Sequence, residues 1–294
     1  MHSNKHFLSE KKTELNMNNV DQIIRHALIE DIGKGDITTQ LTIPESKTIK
    51  AQIVAKEDCV VCGMPIAERV FNLVDKEIKF DAKVKDGQKV KSGKVLAEIS
   101  GKARHILHAE RVALNFLGML SGISSKTRGY VDLVEPLKAK ITDTRKTMPG
   151  LRELQKYAVR IGDGYNHRIS LDEMILIKDS HMKITEGLNK LPSVPKGFKI
   201  EIEVENLEEF KHALQFKPDV IMLDNMDLKD MKEAVQLRDG VDFSKSHHPT
   251  TRLEASGGIT RENVRQVAET GVDIISIGEL THTVDSIDVS LDVL

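Results

Sequence analysis

Arg145, Lys146, His167, Arg168 and Lys178 fall within one stretch, Ile141 to His181, at positions where side chains could meet. The stretch reads as two short apolar strands, the first ending in Arg145 and Lys146 and the second in Lys178. Between them an amphipathic helix leads into the turn GDGYNHR, which adds His167 and Arg168. Cations gathered at the carboxyl ends of neighbouring buried strands lose hydration that stability alone does not return. A pocket for an anionic ligand accounts for them.

The other strand ends are polar too: Glu203, then Asp224 and Asn225, then Ser256-Gly257-Gly258, then Gly278-Glu279. Glu203 and Asp224 end adjacent strands and offer oxygen ligands for one Mg²⁺; salt bridges to Lys178 or Arg145 are the alternative. Ser256-Gly257-Gly258 lies before a helix expected to start near Thr260, where backbone N–H groups can cradle a phosphate. Glycine at a strand-to-helix turn also serves backbone geometry alone. A phosphate cradle, a carboxylate pair and a cation cluster in one mouth suit a phosphosugar diphosphate, a bridging metal and a polyanionic acceptor.

The elements that must position these groups follow Pro136 as strand, loop and helix in repetition. Candidate strands are 141–144, 174–177, 199–204, 220–223, 252–255 and 273–277. Near-continuous apolar strands alternating with helices imply a parallel sheet covered on both faces. About six repeats suit a closed β/α barrel, somewhat smaller than a full eight-fold one, with an open doubly wound sheet as the alternative. Asn206 is placed to cap one helix and Thr260 another.

The first half differs. An amphipathic helix is expected from Asn18 or Asn19 to Glu30, followed by a glycine turn at Gly33 and Gly35. Residues 47–101 alternate apolar and polar residues around Asp86-Gly87 and Ser92-Gly93, as antiparallel hairpins do. They look like a carrier-domain hairpin, yet Lys89, Lys91 and Lys94 lack the flanking residues of a modified lysine, so a structural β module is expected. Residues 102–127 read as one long buried helix carrying Arg104, His108, Arg111 and Asn115 on one face. Arg111 needs an anion, either a carboxylate such as Glu110 or one across a dimer interface, or else a ligand.

Composition bounds the function. Lys+Arg 43 against Asp+Glu 45 gives a net charge of -2, so no basic field recruits nucleic acid. No apolar run approaches a membrane span of about 18 residues. Cys59 and Cys62 lack further ligands for zinc and read as small buried hydrophobes in a reducing cytoplasm. Residues 1–18 read as a polar leader, 19–117 as an N-terminal domain joined by the tail 282–294, and 118–281 as the barrel.

Taken in order, LIEDIGKGDITT, HAERVALNFLGMLSGISS, TDTRKTMPGLR, GDGYNHRISL, ILIKDSH, IEIEVENLEE, IMLDN, LEASGGI and ISIGELTHT resemble the quinolinate phosphoribosyltransferase family. The departures are Met148 in place of a threonine, and Asp163 and Ser170 in place of glycines. Asp163 adds a negative charge near the pocket. The resemblance implies an N-terminal open α/β sandwich, an incomplete α/β barrel and a homo-oligomer. It implies that Arg111 enters the neighbouring subunit's site. Arg145, His167 and Arg168 would bind quinolinate, with Lys146 and Lys178 between acceptor and diphosphate. Glu203 and Asp224 would face the ribose and Mg²⁺–diphosphate. Ser256, Gly257, Gly258 and Gly278 would hold the phosphate of phosphoribosyl diphosphate, with Thr144, Ile277 and Glu279 completing the binding set. Lys146, Lys178, Glu203 and Asp224 would carry the catalysis. Nicotinate or another heteroaromatic acid as acceptor, or a phosphosugar-binding protein without catalysis, are the competing readings.

Overall fold

The computed structural model describes residues 15–185, 197–240 and 251–294; most of the expected polar leader, residues 1–14, lies outside them. In chain order the first elements are α1 (Met17–Ile32), α2 (Ile37–Thr42), β1 (Thr48–Ala55), β2 (Cys59–Val60), α3 (Met64–Val74), β3 (Lys79–Ala82), β4 (Lys89–Val90), β5 (Val95–Lys102) and α4 (Ala103–Val134). Next come β6 (Lys140–Thr142), α5 (Arg152–Ile161), β7 (Ile175–Ile177), α6 (Asp179–Ile184), β8 (Ile200–Val204), α7 (Leu207–Gln215), β9 (Val220–Asp224) and α8 (Leu228–Asp239). The last are β10 (Arg252–Ser256), α9 (Val264–Glu269), β11 (Ile274–Ser276), α10 (Glu279–His282) and β12 (Val289–Val293). They divide between two compact units.

One unit holds the described residues up to Arg128, with Thr147–Asp163 and Glu279–Leu294. Its antiparallel sheet has the order β12-β1-β5-β3. Period-two alternation in β1 turns Ala51, Ile53 and Ala55 inward, where they are fully buried. On α4, Ile106, Ala113, Leu117 and Leu120 are buried, as an apolar surface of that width requires. Gly118 lets the backbone of Ile287 approach α4, and a Cβ there would stand 2.7 Å from the Ile287 carbonyl oxygen. Ile287 N–H donates to Gly118 O at 3.1 Å. Ser121 and Ser124 on α4 bond to the backbone of Cys62 and Val60, so the C-x-x-C segment is tied into the core. Both thiols are buried and unbridged. Burial pushes the Cys59 thiol up to about 11, leaving it an inert hydrophobe as expected. Helix caps differ in detail from the sequence reading. Asn16, not Asn18 or Asn19, caps α1; the expected glycine turn is present, with Gly33 and Gly35 at positive φ, and Asp36 after it caps a further helix, α2.

The other unit comprises the described residues of Gly129–Lys146 and Gly164–Gly278. Six strands form one sheet in the order β6-β11-β10-β9-β8-β7, every neighbouring pair parallel. β6 and β7 are its edges and do not pair, so the closed barrel read from the repeats is corrected to the incomplete six-stranded barrel that the family resemblance implied. Alternate residues Ile202, Ile221, Leu223, Leu253, Ala255 and Ile275 are fully buried. Thr260 does not cap the following helix. That helix starts at Val264, and the Asn263 side chain instead bridges Thr260 N–H and the Gly258 carbonyl. Asn206 does cap α7, accepting from Glu209 N–H.

Asp273, just before β11, stitches this unit together. Its carboxylate accepts from Lys138 Nζ at 3.0 Å, Arg238 Nη1 at 2.6 Å and Leu253 N–H at 2.9 Å. Burial alone would raise this carboxyl; the Leu253 N–H and the two cations hold it below its ordinary value. Its contribution is therefore present at neutral pH and lost on acidification through the depressed value. Asp273→Ala leaves the buried Arg238 paired only with the exposed Asp239 and takes the acceptor from Leu253 N–H, and is expected to cost about 1–3 kcal/mol in urea unfolding at pH 7. The gap should narrow in acid.

Candidate active site

The register aligns Thr142, Ser276, Ser256 and Asp224 across β6, β11, β10 and β9 at their carboxyl ends. Because side chains alternate, this row and the residues two positions earlier point to the same side of the sheet. A cavity of about 350 Å³ opens there, lined by Thr144, Arg145, Lys146, His167, Arg168, Lys178, Glu203, Asp224, Glu254, Ser256 and Ser276. All five cations singled out in the sequence line it, together with both carboxylates.

Turn GDGYNHR reaches the cavity because its backbone extends the sheet: Tyr165 N–H donates to Ile141 O, and Asp143 N–H to Tyr165 O. Asp143 is fully buried and fixes the turn. Its carboxylate accepts from His167 N–H at 3.0 Å and from Asn166 Nδ2 at 2.5 Å. Arg168 then anchors one guanidinium nitrogen on Met174 O at 3.0 Å. The Nε atoms of Arg145 and Arg168 are buried without a hydrogen-bond partner among the described residues. Burial and the neighbouring Arg145 charge both lower the Arg168 pKa, with Glu201 opposing them. Two guanidiniums facing one half-buried space, neither neutralised within it, is an arrangement that an oligoanion stabilises.

On the opposite flank, Lys178 Nζ lies 3.2 Å from Glu203 Oε2. The salt bridge considered for Glu203 thus exists, while its second oxygen remains available. Asn225, held at φ 54, donates from Nδ2 to Asp224 at 3.0 Å and orients that carboxylate. Gly257 and Gly258 have φ of 86 and 61, and a Cβ on Gly257 would collide with the Asn225 side chain. Here glycine is required by packing as well as by conformation. α9 is only six residues long and begins beyond this turn, so a phosphate would rest on the turn's own N–H groups rather than on a helix terminus. Ile277 is buried, and its N–H donates to Thr142 O at 2.9 Å. Glu279 opens α10 and belongs to the other unit.

Below the cations lies a group the sequence reading passed over. Glu201 and Glu254 are fully buried, and His167 Nε2 stands 3.0 Å from Glu201 and 3.7 Å from Glu254. Ser276 Oγ donates to Glu254 at 2.5 Å and lies 2.7 Å from Thr142 Oγ1. Burial pushes both carboxyls up to about 8; the Glu201 charge adds to this at Glu254, whereas Arg168 draws Glu201 back down. The alternation in IEIEVE was the available signal, since it turns Glu201 and Glu203 to one side of a buried strand.

Arg111 is exposed on α4 in the other unit, where it lines a separate cavity of about 340 Å³ with Asn115, Met148 and Asp288. Arg104 serves the backbone, donating to Ile43 O and Gln40 O at the end of α2. Asp163 forms an ion pair with Arg128, so the charge it adds is matched locally.

With this geometry in hand, two family models match: the quinolinate phosphoribosyl transferase N-terminal domain over residues 36–121 and its C-terminal domain over 123–292. The chain belongs to the quinolinate phosphoribosyltransferase family. Nicotinate-nucleotide pyrophosphorylase [carboxylating] of Mycobacterium leprae is 40% identical over 278 residues, 92% of this chain and 95% of that one. The chloroplastic enzyme of that name from Arabidopsis thaliana is 39% identical over 295 residues, 92% of this chain and 82% of that one. The solved nicotinate-nucleotide pyrophosphorylase of Francisella tularensis superposes with a TM-score of 0.90 at 38% identity, covering 97% of this chain and all of that one. The family resemblance read from the motifs, and the two-part α/β fold it implied, are therefore correct.

Asp143→Ala would leave the Asn166 amide and the His167 N–H buried without their acceptor, a cost of about 1–3 kcal/mol per group. Amide hydrogen exchange at residues 165–168 is expected to accelerate well beyond that of β9, which does not touch Asp143.

Proposed function

We propose that this chain transfers the phosphoribosyl group of phosphoribosyl diphosphate to quinolinate and releases CO₂, forming nicotinate mononucleotide and diphosphate in the synthesis of NAD. The observation that carries the reading is the Arg145–Arg168 pair, whose buried Nε atoms call for a bidentate dianion. Quinolinate carries two adjacent carboxylates beside a nucleophilic ring nitrogen. Held by the arginines, it presents that nitrogen to C1 of the ribose. The C1–N bond forms as the C1–diphosphate oxygen bond breaks, through an oxocarbenium-like state. The quaternised ring then takes up the electron pair of the breaking carboxylate bond, CO₂ departs, and a proton fills the position.

Lys146 and Lys178 stand between the acceptor and diphosphate sides and stabilise departing charge. Glu203 and Asp224 fit one Mg²⁺, because both are oxygen donors lining one cavity. Bound there, the metal would offset the charge of the leaving diphosphate. Ser256, Gly257, Gly258 and Gly278 take the 5′-phosphate, with Thr144 and the backbone around Ile277 beside them.

Arg111 is assigned across a homo-oligomer. It is exposed and lines a cavity of its own unit, although it also draws the carboxyl of Glu110 on the same helix down against burial. No helix of the described residues is long and apolar enough to cross a membrane, and the two buried thiols suit a cytoplasmic setting. Nicotinate as acceptor fits less well, since one carboxylate leaves an arginine unmatched.

Purified protein with Mg²⁺ and phosphoribosyl diphosphate should release CO₂ and diphosphate in equal amounts from quinolinate and none from nicotinate. Turnover with nicotinate alone, or binding without turnover, would overturn the proposal. Arg145→Lys and Arg168→Lys should each raise the KM for quinolinate roughly 10- to 100-fold, since a charge-assisted bond is worth about 1.5–3 kcal/mol. Mixing inactive Arg111→Ala chains with inactive Arg145→Ala chains should restore part of the activity if Arg111 crosses between subunits.

A further inference from the structure

β9 ends at Asp224, and the chain turns at once to leave the sheet. The residue that makes the turn is Asn225, held at φ 54. Among the described residues Asp163, Lys217 and Asn225 have a positive φ without being glycine, and of these only Asn225 directly follows a cavity-lining side chain. Asparagine tolerates that left-handed conformation better than most residues. A conformation of this kind persists where the surrounding contacts over-determine it.

Three contacts do so here. Asn225 N–H donates to Ser256 O at 2.8 Å, carrying the β9–β10 pairing one residue past the end of β9. Its Nδ2 donates to Asp224 Oδ2 at 3.0 Å and leaves Asp224 Oδ1 outside that bond. Its side chain also fills the space beside Gly257, where a Cβ would stand 2.5 Å from Asn225 Cγ and 2.8 Å from Nδ2. The N–H groups of Gly257 and Gly258 donate no hydrogen bond among the described residues, so the donors of this turn are unspent. One side chain therefore touches both the carboxylate that ends β9 and the glycine turn that follows β10.

We infer that Asn225 is a positioning residue that holds the Asp224 carboxylate and the Gly257–Gly258 turn at one fixed separation, so that both charged ends of the donor substrate are gripped together. The inference rests on the reading of phosphoribosyl diphosphate as donor, whose 5′-phosphate and C1 diphosphate lie at opposite ends of one ribose. Two subsites at a set separation bind a linked ligand far more tightly than its halves, because the second contact forms within one complex. When the separation wanders, that advantage shrinks, while each subsite still binds its own fragment. Asn225 does not line the cavity; it acts through Asp224 and the turn.

Asn225→Gly is the test, since glycine adopts a positive φ freely and only the side chain is lost. Calorimetric titration with phosphoribosyl diphosphate, ribose 5-phosphate and inorganic diphosphate, each with Mg²⁺, needs no turnover. The variant should bind phosphoribosyl diphosphate at least about tenfold more weakly than wild type, and each fragment within about twofold of it. Donor binding unchanged, or donor and fragments weakened alike, would overturn the inference and leave the proposed activity standing. Wild type that binds no phosphoribosyl diphosphate would overturn the proposed donor. A second measurement uses no ligand. In urea unfolding, Gly257→Ala should cost less in the Asn225→Gly background than in wild type, because the collision is gone and only the strain of alanine at φ 86 remains. Equal costs in both backgrounds would mean that Asn225 does not brace the turn, and the inference falls on that result alone.

Discussion

The structure of the barrel mouth depends on holding two arginine side chains, Arg145 and Arg168, in one half-buried cavity against their mutual repulsion. Among the described residues, neither guanidinium has a carboxylate at ion-pair distance in that cavity. What anchors Arg168 is a backbone carbonyl, Met174 O. Anchoring it on a carbonyl, rather than in a direct ion pair, keeps the arginine forks free for a ligand. A direct surface carboxylate would have stabilised the cations and occupied the site.

That requirement explains the unusual interior of the barrel unit. A parallel sheet covered on both faces is expected to be apolar throughout. β8 and β10 instead carry Glu201, Glu203 and Glu254 on the side that the register also gives to Asp224, Ser256, Ser276 and Thr142. The opposite side, with Ile202, Ile221, Leu253 and Ile275, remains apolar and fully buried. One face of the same six strands thus makes the core and the other makes the site.

Some of the fold was legible in the chain because its signals are local. The six strands of the barrel appear within one or two residues of the expected ranges, and the Asn206 cap is where its side chain predicted. Arg145, Lys146, Lys178, Glu203, Asp224 and Ser256 could be picked out because each follows an apolar strand, His167 and Arg168 because they follow in the GDGYNHR turn, and all eight line one cavity. Where local signals competed, the reading slipped. Thr260 looked like a helix cap, but Asn263 uses its side chain to close the loop, and the helix begins later. Residues 147–163 lie between two barrel strands in sequence yet pack with the other unit, burying Leu154, Ala158 and Val159 there, and an amphipathic pattern does not say what its apolar face meets.

By itself, then, the sequence determined the alternating strands and helices, the cluster of cations at strand ends, and, through nine ordered motifs, the family. Composition and periodicity are properties of neighbours along the chain, so these were readable without coordinates. Only the tertiary structure decided which of those side chains share a cavity and which face away from it. It placed Arg111 in a different unit from the arginine pair, brought Glu254, Ser276 and Thr142 from three strands into one hydrogen-bonded row, and set Glu201 against His167. Such contacts depend on strand register, which is fixed by packing across the whole sheet and leaves no trace at any single position.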